Sequence, residues 1–220
     1  MTLDLTRQSD IIPERKAGEC KVTIVGAGAI GSHVAECLAK IGIREMQRWD
    51  CDLVESHNVS NQGYRLGDIG KAKVSALKER LEVDTGISVD AVEKEFTNNS
   101  ELSSSIVISA VDSMKGRKSI FNSMRVNTDV MLFIDARMGA LYGEIYSINL
   151  ANPHSLKEYE QTLFDDSEGY QEPCTRKATI FCAQGMAAWI ASVVADYLSG
   201  EEVFKKIEVD FARKTANGIE

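Results

Sequence analysis

The chain has 220 residues, of which 44% are hydrophobic and 26% charged, and it carries a formal charge of −8 at pH 7. These values are typical of one soluble globular domain, and the excess of acidic residues argues against a nucleic-acid partner, because binding to a phosphate backbone requires a basic surface. The sequence shows no secretory leader and no apolar run of bilayer length, so we expect a cytoplasmic protein without a membrane partner. Its five cysteines include no CxxC pair, so we expect neither a disulfide framework nor a zinc site.

The first predicted strand covers residues 20–25 and ends at a glycine-rich turn. Gly26, Gly28 and Gly31 form a GxGxxG pattern, and apolar residues at helical spacing follow it. In such a pattern the first glycine allows a tight turn, the second lets the backbone approach a phosphate, and the third lets the helix pack on the strand. The helix N-terminus then offers free N–H groups to an anion. The pattern therefore predicts a nucleotide site; the alternative is a tight turn without a ligand.

The second predicted strand ends at Asp50, about 20 residues beyond the glycines, where an acidic residue suits a ribose hydroxyl pair. Asp52 is a second candidate for that contact, although it could instead hold the loop in shape. The following stretch, up to a helix predicted over residues 68–83, is rich in polar side chains that could bind a polyanion. These side chains are Asn58, Gln62, Arg65 and Lys73.

The density of cations after the glycine loop bears on the kind of nucleotide. A hydride-transfer site needs few cations around a pyrophosphate, whereas a site that breaks a triphosphate needs cations and usually a magnesium ligand. Lys73 is the main candidate cation, and its alternative role is that of a solvated helix lysine. Asp112 comes at the end of a later predicted strand, and its position alone favours a cap of a helix predicted over residues 114–127.

The rest of the chain continues the alternation of strands and helices and then becomes polar and acidic after residue 150. Alternating strands and helices predict a Rossmann-like α/β fold, a mostly parallel sheet with helices on both faces, and the later strands predict an antiparallel C-terminal part. Residues 186–198, the most apolar late run, are too short to span a bilayer and contain Asp196. The remaining predicted elements are strands at 87–96, 103–111, 130–136, 143–150 and 205–211, a mobile polar loop at 151–177, and a helix at 178–199.

Cys174 is the candidate nucleophile of the predicted mobile loop. It precedes Arg176 and Lys177, and nearby cations lower the pKa of a thiol and so favour the thiolate. The alternative is an unreactive loop cysteine.

Together these motifs resemble those of the ThiF/MoeB-type adenylyltransferases of the ubiquitin-activating enzyme superfamily. Residues 50–62, DCDLVESHNVSNQ, are similar to the family pattern DxDxVxxSNLxRQ. Residues 69–74, IGKAKV, are similar to its GxxK, and residues 109–122, SAVDSMKGRKSIFN, to its DxxDNxxxRxxLN. The resemblance implies a single adenylation domain over residues 1–220, with an N-terminal extension at residues 1–19.

The implied activity is ATP-dependent adenylation of the C-terminal glycine carboxylate of a ubiquitin-like or sulfur-carrier protein, with Mg²⁺ as cofactor and release of pyrophosphate. The implied assembly is a homodimer, in which Arg7 reaches the active site of the partner subunit.

By position, the resemblance also implies roles for single residues. Asp50 would bind the ribose, Asn58 and Gln62 would line the phosphates, Lys73 would neutralise charge in the transition state, Asp112 would hold magnesium and Cys174 would accept the activated acyl group. The family arginine before the glutamine is Asn61 here, so Arg65 or the partner's Arg7 would have to supply that charge, and the asparagine after the magnesium aspartate is Ser113.

Three alternatives remain open at this point. An NAD-dependent oxidoreductase could use the same glycine loop, but it would need a proton-transfer group that the sequence does not offer clearly. A degenerate relative could bind a nucleotide or a partner without chemistry, which the asparagine at position 61 would favour. Within the family, the carboxylate could belong to a small molecule or a modified tRNA base, and the acidic composition disfavours tRNA.

Overall fold

The strands of the protein form one mixed sheet. The computed structural model describes residues 3–168 and 178–219. Within them, eight strands are β1 (Lys21–Val25), β2 (Glu45–Trp49), β3 (Asp90–Val92), β4 (Ile106–Ser109), β5 (Leu132–Met138), β6 (Tyr142–Asn149), β7 (Lys206–Asp210) and β8 (Thr215–Ile219). The helices are α1 (Glu14–Glu19), α2 (Ala29–Lys40), α3 (Lys73–Thr85), α4 (Met114–Met124), α5 (Pro153–Glu160) and α6 (Ile180–Ser199), with short 3₁₀ turns at Thr6–Gln8, Ser56–Asn58 and Leu66–Asp68.

The strand order is β3-β2-β1-β4-β5-β6-β7-β8. The first five strands in this order pair in parallel, and the last three join them through antiparallel pairs. The mostly parallel sheet with an antiparallel C-terminal part is therefore confirmed. Because β2 and β3 lie on one side of β1 and β4 and β5 on the other, the order in which strands are added to the sheet reverses between β1 and β4. In open α/β sheets a crevice for ligands forms at this point, at the carboxyl ends of the strands.

Helices cover both faces of the sheet, as the alternation predicts. Ile106 and Ile108 of β4 pack in the cluster that contains α2 and α6, whereas Val107 between them packs with α4 and α5 on the opposite face. Successive side chains of a strand point to opposite faces, so a strand buried on both sides is apolar at nearly every position, as β4 is before Ser109. All four residues of β4 are buried, and this central strand carries Asp112 just beyond its end.

Several element boundaries differ from the predicted ones. The helix predicted from residue 68 begins at Lys73, because the Asp68 carboxylate accepts the Arg65 N–H and closes a separate 3₁₀ turn at Leu66–Asp68. The edge strand β3 has only three residues of the predicted ten. α1 and β8 were not predicted: α1 has six residues, and every residue of β8 is exposed, so neither has an amphipathic pattern.

The prediction of a mobile loop over residues 151–177 is wrong for its first part. Asn152 caps α5 by accepting the His154 N–H, and Tyr159 of α5 is buried among aromatic rings of α4 and β5. Tyr159, with Leu156 packed against the same cluster, anchors a helix whose remaining residues are mostly polar, which is why the composition suggested a loop. Residues 169–177, which include Cys174, lie outside the described residues.

Helix α6 is longer than its apolar run suggested. Its 20 residues have the length and composition of a membrane span. The prediction that this part of the chain is too short to cross a bilayer, which considered residues 186–198 alone, is therefore wrong. One side of α6 is buried against α2 and the sheet, with Met186, Ile190 and Val194 fully enclosed. This packing is that of a core helix.

The predicted N-terminal extension is packed onto the sheet domain. Leu5, Ile12 and Ala17 are buried. The Gln8 side chain donates to the Lys40 carbonyl at 2.6 Å, at the end of α2. The extension therefore lies at the end of α2 that is opposite to the glycine loop.

Candidate nucleotide site

The glycine loop joins β1 to α2, and its three glycines have different surroundings. Gly26 has φ +98°, and a Cβ there would lie 2.6 Å from the Ala110 carbonyl oxygen. A Cβ on Gly31 would lie 2.0 Å from the Gly26 carbonyl oxygen. A Cβ on Gly28 would meet no atom within 4 Å. The first and third glycines therefore allow the turn itself, whereas Gly28 leaves open space beside the backbone at the start of α2, where a phosphate could approach.

Asp50 is tied to this loop through its side chain. Its carboxylate accepts the Ala27 N–H at 2.6 Å and the Asp52 N–H at 2.8 Å. The strand β2 ends one residue earlier, beside β1, so the parallel pairing brings the glycine loop and this carboxylate together. The position beside the loop suits the predicted contact with a ribose.

Lys73 and Asp52 form an ion pair at the same edge of the sheet. Lys73 Nζ lies 2.7 Å from Asp52 Oδ2, and the two side chains are 9% and 62% exposed. The Lys73 N–H also donates to the Asp52 carbonyl, which fixes the start of α3 against the loop after β2. Lys73 is therefore mostly buried and directed at the loop after β2, which excludes its alternative role as a solvated lysine on the helix surface.

The predicted phosphate-lining amides have different surroundings. Asn58 is 4% exposed, and its Oδ1 accepts the Glu55 N–H at 2.8 Å in a reciprocal cap of a 3₁₀ turn. That oxygen is therefore used in local structure, which leaves the amide nitrogen for a ligand. Asn61 Oδ1 and Gln62 Oε1 are buried and have no hydrogen-bond partner in the described part of the chain.

Asp112 lies just beyond β4 with an exposed side chain. Ser113, not Asp112, caps α4: its Oγ accepts the Gly116 N–H at 3.1 Å. Residues 3–168 and 178–219 contain no group of three potential metal ligands. Magnesium is commonly held by one or two carboxylates together with substrate phosphates and water, so a single exposed carboxylate beside a phosphate loop fits that ion.

Acidic residues beyond α5 form a neighbouring feature that the sequence analysis did not identify. The Asp166 carboxylate accepts the N–H groups of Met114 and Lys115 at 2.6 and 3.1 Å, and Lys118 pairs with Asp165. The free N–H groups at the start of α4 are thus satisfied by a carboxylate from residues 161–168. The acidic run at residues 165–168 was the only signal for this contact.

Asp135 joins two arginines inside the fold. It is fully buried, and its two oxygens accept Arg117 Nε at 3.0 Å and Arg137 Nε at 2.8 Å. Arg137 also donates to the carbonyl and hydroxyl of Thr162. This network fixes the segment after α5 to β5, and pairing with Asp135 accounts for both arginines.

Two predicted cations do not approach the glycine loop of their own chain. The Arg65 side chain is 61% exposed and lies 3.5 Å from Asp84, about 16 Å along α3 from Lys73. The expectation that it replaces the family arginine is therefore corrected: hydrogen bonding of its backbone in the 3₁₀ turn directs its side chain along α3. Arg7 lies in the exposed N-terminal 3₁₀ turn, at the far end of α2.

Two polar residues beneath the loop were missed by the sequence analysis. The Tyr64 hydroxyl donates to the Ala27 carbonyl at 2.6 Å, and burial raises the pKa of this phenol. Arg48 of β2 is completely buried and donates from Nη2 to the Gly31 carbonyl at 2.9 Å. The only sequence signal was an arginine at a position where the strand pattern expects an apolar residue.

Of the described cysteines, Cys182 is the most enclosed. It is buried in α6, and burial raises its pKa to about 11, so it is a poor nucleophile at neutral pH.

Comparisons with known proteins identify the family of the chain. A family model for the ThiF family matches residues 7–215. The sulfur carrier protein ThiS adenylyltransferase of Bacillus subtilis (strain 168) is 29% identical over 143 residues, which cover 61% of this chain and 42% of that protein. This match therefore spans less than half the length of that relative.

Two solved structures share the fold. PaaA superposes with a TM-score of 0.77 at 18% identity, covering 99% of this chain and 68% of the other. MccB of E. coli, solved with ATP, superposes with a TM-score of 0.70 at 19% identity, covering 93% of this chain and 64% of the other. At these identities the likeness concerns the fold, whereas the family model covers nearly the whole sequence. The chain belongs to the ThiF family.

Proposed function

We propose that this chain is an adenylyltransferase that uses ATP to activate a carboxylate. The observation that carries the proposal is the convergence of an open glycine loop, the buried Lys73 and the exposed Asp112 at one edge of the sheet. Similarity to ThiS adenylyltransferase supports ATP as a substrate. The cytoplasm is the proposed compartment, because the described cysteines are free thiols and the reaction consumes ATP.

The proposed chemistry follows from these positions. N–H groups at the start of α2 bind phosphate oxygens, and Asp50 holds the ribose. The ionised carboxylate attacks the α-phosphorus of ATP, an acyl–oxygen–phosphorus link forms, and the bond to the bridging oxygen breaks with release of pyrophosphate. Lys73 neutralises charge that develops on the phosphates. A magnesium ion held by Asp112 would neutralise further charge on the leaving group.

The proposed acyl donor is the C-terminal glycine of a ubiquitin-like or sulfur-carrier protein. A peptide C-terminus is already ionised at neutral pH, so the reaction needs no strong base. The named substrate of the ThiS adenylyltransferase, a sulfur-carrier protein, supports this choice. The product would pass to a sulfur donor or to Cys174. A homodimer is also proposed, because Arg7 lies too far from its own glycine loop to act there.

ATP–pyrophosphate exchange tests this proposal. We expect exchange in the presence of Mg²⁺ and one member of a panel of small proteins that end in Gly-Gly, and a loss of about 100-fold in Asp112→Ala. Asp129→Ala is the matched control, because Asp129 is an exposed aspartate beyond the other end of α4.

Two outcomes would contradict the proposal. NAD binding without ATP binding would favour an oxidoreductase. Tight ATP binding without exchange, including when the panel is extended to small carboxylates, would favour a binding-only relative, and an unchanged Asn61→Arg variant would strengthen that conclusion.

A further inference from the structure

Arg48 is a cation enclosed beneath the glycine loop. Its side chain is 0% exposed, and its single described hydrogen bond runs from Nη2 to the Gly31 carbonyl. Nε and Nη1 are buried without a hydrogen-bond partner in the described part of the chain. Among the residues that the structure describes, no carboxylate forms an ion pair with Arg48. A buried guanidinium of this kind is normally paired, because transfer of an unpaired charge from water costs several kcal/mol.

Arg48, Asp50 and Tyr64 each form a hydrogen bond to the backbone of the glycine loop. Asp50 accepts the Ala27 N–H, and Tyr64 donates to the Ala27 carbonyl, while Arg48 donates to Gly31. Burial lowers the pKa of Arg48, and Tyr64 and Asp50 partly offset that effect. An arginine remains charged at neutral pH even so. Its positive charge therefore lies against the Gly31 carbonyl, in the first turn of the helix that begins after Gly28.

The edge of the sheet above the loop is acidic. Asp50, Asp52 and Asp112 lie there with Lys73, whose ammonium already contacts Asp52. Arg65 is directed at Asp84, and position 61 holds a neutral asparagine. Three carboxylates against one paired ammonium leave these four side chains with a net negative charge, so further positive charge in the fold favours a polyphosphate there, beside any that magnesium supplies.

We propose that Arg48 is a positioning residue that supplies this charge from beneath the glycine loop, so that the site favours the phosphorylated forms of a nucleoside. The inference rests on the proposed nucleotide site. In the ligand-free protein this charge is only partly compensated and lowers stability. A bound polyphosphate compensates it across the loop, and the gain increases with the negative charge of the ligand.

The test is a series of ligands on Arg48→Met, measured by calorimetry without a carboxylate substrate. We expect affinity to fall about tenfold or more for ATP, less for ADP and AMP, and less than about twofold for adenosine. The melting temperature of the ligand-free variant should be unchanged or higher, because a buried unpaired charge is removed. Arg44→Met is the matched control: Arg44 precedes β2 at its other end, is 58% exposed and pairs with Glu14.

A purely structural role for Arg48 predicts the opposite pattern. The melting temperature would fall, and affinity would decrease equally for adenosine and ATP; this result would overturn the inference, as would unchanged ATP affinity. Asn61→Arg in the Arg48→Met background should restore ATP affinity to within about threefold, because it returns a cation to the site. If Arg48→Met does not fold, Arg48→Lys should keep the ATP-to-adenosine preference and Arg48→Gln should lose it.

The outcome is separable from that of the proposed function. A wild-type chain that binds no nucleotide would overturn both proposals. Wild-type binding of ATP with the same ligand preference in Arg48→Met would overturn the role of Arg48 alone. An absence of exchange activity would leave these binding measurements unaffected.

Discussion

Lys73 and Asp52 show how a single ion pair can hold a cation ready for a ligand. Asp52 is 62% exposed, so its pairing with Lys73 is screened by water and contributes about 1 kcal/mol or less. Lys73 itself is mostly buried and fixed by its backbone at the start of α3. A phosphate can therefore replace Asp52 as the partner of the ammonium at little cost, without movement of the helix.

Substitution of this lysine tests its role. Lys73→Ala should reduce the rate of ATP–pyrophosphate exchange about 100-fold, because the charge that develops on the phosphates loses its nearest cation. Lys71→Ala is the matched control and should stay within about twofold, since Lys71 is 42% exposed and pairs with Glu79. Equal losses in the two variants, measured at saturating ATP, would assign the effect to net charge rather than to Lys73.

At the scale of elements, the loop between β1 and α2 contains two glycines that its backbone requires and a third, Gly28, that we propose faces the phosphates. Gly31 packs the start of α2 against the Gly26 carbonyl, which belongs to the backbone and cannot rotate away. Gly28 ends the loop with φ −76°, a value that other residues adopt, and it has free space beside it. The same substitution should therefore have different consequences at the two positions.

Alanine at each position separates stability from binding. Gly31→Ala should lower the free energy of unfolding by about 3 kcal/mol or more, because the added methyl group overlaps backbone. Gly28→Ala should cost about 1 kcal/mol or less, yet weaken nucleotide binding about tenfold by filling the space for a phosphate. Thermal denaturation and nucleotide titration of both variants measure the two effects; Gly28→Ala with wild-type affinity would place the phosphates elsewhere.

At the scale of the whole molecule, the N-terminal segment and the glycine loop lie at opposite ends of α2. The helix has 12 residues and is about 18 Å long. Gln8 contacts its last residue, and Leu5 packs near Gly42 beyond it. Arg7 lies in the chain between Leu5 and Gln8 and is exposed. Because the glycine loop is at the other end of α2, a contribution of Arg7 to catalysis requires a second copy of the chain.

Mixed subunits test this arrangement in the proposed homodimer. Arg7→Ala and Lys73→Ala should each be defective alone, whereas a 1:1 mixture should recover about a quarter of the wild-type exchange rate, because half of the dimers are mixed and each contains one intact site. Arg15→Ala is the control, since Arg15 is an exposed arginine paired with Glu19 on α1. A mixture without recovery, in a preparation that sediments as a dimer, would exclude action of Arg7 on the partner.

The sequence predicted most strands and the long helices because their patterns are local. The glycine loop, the apolar β4 and the periodic α2 each carry their signal within a dozen residues. α5 was missed because only Tyr159 and the partly buried Leu156 hold a helix of mostly polar residues. β8 was missed because its pairing with β7 leaves every side chain exposed, which gives no alternation.

The sequence by itself determined that a glycine loop opens α2 and that Asp50, Lys73 and Asp112 come at element ends, since parallel strands place such ends at one edge. Only the tertiary structure decided what the charges contact. Arg65 lies against Asp84, Asp135 bridges two arginines, and Arg48 is enclosed below the loop. These pairings join residues up to 19 positions apart, and side-chain directions at that separation depend on packing between elements, which no local pattern records.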